Sequence, residues 1–145
     1  MRLAAGLAAL AGIAVAGYLT WSHYVDSSVL CVGGGGCEEV QSSEYASIAG
    51  IPVAALGLAS YTTILGLIVW DAPRARLAAA ALALVGLVFS LYLLVVQLAV
   101  IDAVCVWCLA NDVVIAPALA ALTALRLRSW GPDEAPSARL GRGSP

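Results

Sequence analysis

Three stretches of this chain carry no charged residue at all, Leu3 to Trp21, Ile51 to Trp70 and Leu77 to Ile101, and a fourth, Ala103 to Leu125, contains only Asp112. About 20 apolar residues cross a bilayer as a helix, so each stretch reads as one membrane span. Only 11% of the residues are charged, against roughly 25% in an ordinary soluble domain, which excludes a water-soluble globule. The expected fold is all-α: an integral membrane four-helix bundle with helices at about 3–21, 51–70, 77–101 and 103–125. One outer loop segment, 22–50, separates the first two helices. Residues 1–128 then form one transmembrane domain, and the Pro-, Gly- and Ser-rich stretch 129–145 is expected to be a disordered tail with too little apolar content to fold.

Charge sets the orientation, because cytoplasmic flanks attract Arg and Lys. With both termini inside, Arg2, Arg74, Arg76, Arg126, Arg128, Arg139 and Arg142 are all cytoplasmic, while the outer loop carries Asp26, Glu38, Glu39 and Glu44. The chain is therefore expected as a multi-pass protein of the cell (inner) membrane. The first apolar run, 19 residues long, exceeds the roughly 7–15 of a signal-peptide core, so it is read as a retained helix. No basic stripe tracks a nucleic-acid backbone, which excludes that partner class.

On this topology all four cysteines face the outer compartment, where disulfides persist. Cys31 and Cys37 flank a tetraglycine in the outer loop, a stretch expected to move because glycine loses the most backbone entropy on ordering. Cys105-Val-Trp-Cys108 lies at the outer start of the fourth helix, with Asp102 as the expected N-cap. A helix N-terminus favours a thiolate. Two inert braces are a weaker reading, since a C-x-x-C bridge closes too short a loop to contribute much chain entropy. Zinc is weaker still, because the two pairs lie far apart in sequence with one His in the chain; no metal site is expected. Thiolates attack disulfides through mixed-disulfide intermediates, so electrons can pass from an exterior dithiol to the loop pair, to the membrane-level pair, and on to a lipid-soluble two-electron acceptor. A small transporter for a thiol-binding metal is the alternative, and a purely structural or partner-binding membrane protein is a third.

Taken together, Cys31-x5-Cys37, the following Glu38-Glu39-Val40-Gln41-Ser42-Ser43, the entry Ile48-Ala49-Gly50-Ile51-Pro52-Val53 and the C-x-x-C of the fourth helix resemble the bacterial vitamin K epoxide reductase homologues. The resemblance covers roughly residues 1–128. It implies a quinone-dependent thiol–disulfide oxidoreductase that supports disulfide bond formation. In that role Cys108 reacts with a membrane quinone of the ubiquinone or menaquinone type, Cys105 exchanges with Cys37, and Cys31 forms the mixed disulfide with an outside partner. Ser43 would help bind or polarise the quinone. Some relatives carry a fused thioredoxin-like domain, absent here, so the expected partner is a separate thioredoxin-like protein. Eukaryotic members have a Tyr four residues after the second active-site Cys where this chain has Asp112, so vitamin K epoxide is not carried over as a substrate.

Two further residues have two readings each, and a third has one. Asp112, at i+4 from Cys108, is either a proton donor or acceptor at the quinone site or an acid hydrated from the outer end of the helix. Trp107 is either an interfacial anchor, like Trp21 and Trp70, or a flank for the quinone ring. Pro117 is expected to kink the fourth helix.

Overall fold

In lipid every backbone N–H and C=O must be satisfied within its own segment, and the four apolar stretches are accordingly helical. The computed structural model describes residues 1–25, 30, 31 and 36–129. It contains α1 (Arg2–Val25), a short α2 (Cys37–Ser42), α3 (Val53–Trp70) and α4 (Pro73–Ala99). The fourth span, α5, is Val106–Arg128. The tetraglycine residues Gly33, Gly34 and Gly35, Asp26, and the tail from Trp130 with Arg139 and Arg142 lie outside the described residues, and the expectations of a mobile loop and a disordered tail fall with them.

The long helices pack in a ring: α1 against α3 and α5, and α4 against α3 and α5. Lipid tails are as apolar as leucine, so helices associate through close packing of small residues rather than through a hydrophobic drive. On α1 the buried stripe is Ala5, Ala9, Gly12 and Ala16, and on α4 it is Ala75, Ala79 and Ala83. Against these lie Tyr61, Ile64 and Ile68 of α3 and Leu119 of α5. Gly12 is required by its neighbour, since a Cβ there would sit 2.6 Å from the Tyr61 ring. Large apolar side chains such as Leu84, Val88 and Val113 stay exposed on the outer faces, as a lipid-facing surface demands.

At the end of the bundle that holds Arg2 and Arg126, one carboxylate joins all four spans. Asp71, the left-handed C-cap of α3 (φ 53°), binds Arg76 of α4 at 2.8 Å, Arg126 of α5 at 2.7 Å and Arg2 of α1 at 3.6 Å. The Arg76 hydrogen bond, followed by the charges of Arg126 and Arg2, holds the Asp71 carboxyl below the ordinary carboxylate range. Arg2 also donates to the Val69 carbonyl. The segment left between the helices expected at about 51–70 and 77–101 in fact starts α4 at Pro73 rather than Leu77, because proline at the first position is preset for a helix. Arg74 and Arg76 are thus helical.

Two other boundaries differ from expectation. The fourth helix begins at Val106 and its N-cap is Cys105, not Asp102. The Cys105 sulfur accepts the Cys108 N–H at 3.4 Å, and Asp102 sits upstream in a left-handed turn (φ 53°). Pro117 produces a π-helical turn over Asn111–Ile115. It has no N–H for an α-type bond to Val113, and the ladder widens so that the Ala116 N–H reaches the Asn111 carbonyl. The outer segment is also more ordered than a loop: a 3-10 turn, Glu44–Ala46, leads into a two-stranded antiparallel ladder, β1 (Ser47–Ile48) with β2 (Ile51–Pro52). Ala49 and Gly50 turn it with φ of 53° and 81°, the positive pair that suits a tight hairpin.

Candidate functional site

All four cysteines gather at the end of the bundle opposite Asp71. Cys31 and Cys37 are joined as a disulfide, whereas Cys105 and Cys108 are free thiols with their sulfurs 2.7 Å apart. Two contacts bring the pairs together. Gly36 lies against the backbone of Val104, so closely that a Cβ on it would be 2.5 Å from the Val104 nitrogen. One residue beyond on each side are Cys37 and Cys105, 1% and 0% exposed. The second contact holds the approach to Cys31. The Leu30 N–H donates to the Tyr18 hydroxyl at 3.0 Å, and its carbonyl accepts the Trp107 indole N–H at 2.9 Å. The two rings pack at 5.5 Å.

Cys105 stands just ahead of the fourth span, and its thiol is held down to about 7. The hydrogen bond from Cys108 is the main cause, opposed by burial and aided by the backbone N–H groups of Cys108 and Trp107. The cap position, rather than a place within the first helical turn, gives Cys105 these donors. Gln41 of α2 directs its amide at the Cys108 sulfur at 3.8 Å.

Behind Cys108 a cavity of about 200 Å³ opens between α1, α3, α4 and α5. Its wall is mostly apolar, with Leu19, Ile64, Leu82, Phe89 and Leu119 among the lining residues. A dry cavity of roughly 150 Å³ accepts a benzene ring, so this space suits a ring-sized apolar head. Ser43 and Asp112 both line it. Ser43 donates its hydroxyl to the Val40 carbonyl at 2.8 Å. Asp112 is only 3% exposed. Its carboxylate accepts from the Asn111 amide at 3.0 Å.

Trp107 is not part of this wall. Its ring is committed to Tyr18 and Leu30, so the expected flank for a quinone ring is instead a clasp for the arm that carries Cys31.

The wall also includes polar residues that the sequence argument passed over. Tyr61 donates to the Asn111 carboxamide at 2.6 Å, and Asn111 donates to Ser90 at 3.3 Å. Gln97 is 2% exposed. Their signal in the sequence was present: Gln97 and Ser90 are the polar interruptions of the uncharged run Leu77–Ile101. A search for charge alone does not register them.

The chain matches the model of the vitamin K epoxide reductase family over residues 3–123. That match spans all four helices and both cysteine pairs, and the four long apolar spans agree with it. This multi-pass membrane protein therefore belongs to the vitamin K epoxide reductase family, whose enzymes are quinone-linked thiol–disulfide oxidoreductases.

Proposed function

We propose that this protein re-oxidises a separate extracytoplasmic thioredoxin-like protein and delivers the electrons to a membrane quinone, with both termini cytoplasmic and the cysteines outside. One observation carries the reading. A closed loop pair, Cys31–Cys37, is docked through Gly36 beside an open pair, Cys105 and Cys108, whose Cys108 faces an apolar cavity.

A partner thiolate attacks Cys31 and forms a mixed disulfide while Cys37 leaves as a thiolate. The partner's second thiol then resolves that bond, leaving the partner oxidised and Cys31 and Cys37 reduced. Cys37 attacks Cys105 of an oxidised Cys105–Cys108 pair, Cys108 leaves, and Cys31 closes back on Cys37. The result is an oxidised loop pair and a reduced inner pair, the arrangement in the structure. Each exchange moves two electrons and conserves sulfur–sulfur bonds. A membrane quinone entering the cavity would supply the two-electron acceptor, taking up two electrons and two protons as Cys105 and Cys108 become a disulfide. The low-lying Cys105 thiol provides a thiolate near neutral pH, Ser43 and Asp112 contact the head group, and Asp112 relays a proton between the cavity and the thiols.

The test is quinone reduction by the purified protein supplied with a reduced thioredoxin-like donor. Turnover with a benzoquinone or a naphthoquinone is expected. Absence of turnover with either rejects the reading.

A further inference from the structure

Resting on that reading, we infer that the Gln97 carboxamide is the hydrogen-bonding anchor for the quinone head group, serving both the oxidised and the reduced form. Gln97 is 2% exposed and lines the cavity, yet neither its Nε2 nor its Oε1 has a partner. Among the described residues these are the buried side-chain polar atoms left without one. Several other polar groups of the wall are engaged within the protein. Ser43 donates to Val40, Tyr61 to Asn111, and Asn111 to both Ser90 and Asp112.

Buried amides are almost always satisfied, and leaving one orphaned is costly. In a bundle surrounded by lipid, bulk water is not at hand to fill the role. A glutamine that lines a cavity with both amide functions unpartnered therefore offers a hydrogen-bonding site to a ligand that enters and reaches it.

The chemistry of the amide matches the two forms the ligand takes. A quinone carbonyl only accepts, and it pairs with the Nε2 hydrogens. A quinol hydroxyl donates, and it pairs with Oε1. One side chain thus pairs with substrate and with product, a small shift of the head group exchanging Nε2 for Oε1. Position supports the same ligand. Gln97 lies in the last turn of α4, and its carbonyl accepts the Ala103 N–H at 3.3 Å, which ties it to the segment leading into Cys105. It therefore sits at the thiol end of the cavity, where a head group must lie to meet Cys108.

The test uses the purified full chain in detergent with two probes, a short-tailed benzoquinone and menadione. Replacing Gln97→Met keeps the length and removes the amide. The expected result is an increase of about 10-fold in quinone KM, from the loss of a hydrogen bond to a buried carbonyl, with kcat changed by less than about 3-fold. Thermal melting supplies a readout apart from turnover. Quinone should raise the Tm of the wild type and not of Gln97→Met. Without quinone, the variant should melt at or above the wild-type temperature, because it no longer buries an unpaired amide. Gln97→Asn, with a shorter amide, should recover part of the quinone-dependent rise. Wild-type KM and quinone stabilisation in Gln97→Met would overturn the assignment, and so would a ligand-free melting point well below that of the wild type, which marks a structural amide. If the wild type itself neither reduces nor is stabilised by either quinone, the failure belongs to the quinone reading instead.

Discussion

Replacing Gly36→Ala should uncouple the two cysteine pairs while leaving each pair functional. The backbone at Gly36 (φ −96°, ψ −4°) lies where any residue is comfortable, so the substitution introduces no torsional strain. Its effect is steric. The new Cβ would stand 2.5 Å from the Val104 nitrogen, 2.7 Å from its oxygen and 3.0 Å from its carbonyl carbon. Non-bonded heavy atoms settle near 3.5–4.0 Å, so the loop must lift by about 1 Å. These neighbours are backbone atoms and have no rotamer to change. Cys37 follows Gly36 directly, so its sulfur moves with the loop relative to Cys105. A misplacement of about 1 Å between reacting groups costs roughly 100-fold. Quinone reduction driven by a thioredoxin-like donor, which must pass through Cys37, should fall by about that factor. Reduction driven by dithiothreitol, a small dithiol able to reach the Cys105–Cys108 pair directly, should change by less than about 3-fold on the same steric argument. Equal losses with both reductants, or no loss with the protein donor, would refute the docking role of Gly36.

Further outcomes follow from the same geometry. Cys37→Ala should trap the partner as a mixed disulfide on Cys31, and mass spectrometry finding it on Cys105 instead would reverse the relay. Cys108→Ala should abolish quinol formation yet leave Cys31–Cys37 exchange intact. Because the Cys108 hydrogen bond is the main cause that lowers Cys105 to about 7, the same variant should move the midpoint of Cys105 alkylation upward toward the ordinary thiol value near 8.5. The thiolate fraction at neutral pH then falls, and an unmoved midpoint contradicts the stated cause. Asp112→Asn should slow quinone reduction more at high pH than at low pH, by up to the roughly 10²–10⁴-fold of general acid–base catalysis. Parallel pH profiles for variant and wild type would leave Asp112 a structural acid.

The four spans were legible because the physics behind them is one-dimensional: a run of about 20 apolar residues has few alternatives in lipid. The cysteine spacing was legible as chemistry for a similar reason, since C-x-x-C at a helix start carries its own geometry. What escaped was everything set by contacts across the ring. Asp71 fell between the expected helices, and nothing local shows that Arg2 and Arg126, at the two ends of the domain, come to the two oxygens of its one carboxylate. Asp102 is a good capping residue by type. The cap went to Cys105 because its sulfur accepts the Cys108 N–H. Trp107 was read as an anchor or a quinone flank, and neither reading shows that its ring pairs with Tyr18, 89 positions earlier in numbering, and with Leu30. Gln97 was hidden by being uncharged.

The Asp71 junction also decides where the molecule can give way. Arg126 is only 8% exposed, and its partner oxygen is shared with Arg76, so the spans are riveted together at that end. A bundle riveted at one end by charge has, like a pair of tongs, its freer tips at the other. Those tips hold the cysteines and the upper part of the cavity. On the proposed function, a flat ring enters and leaves at that same place, and Cys37 exchanges there with Cys31 and Cys105. A single carboxylate on the opposite face thus serves as the fulcrum, and the chemistry sits where leverage is greatest.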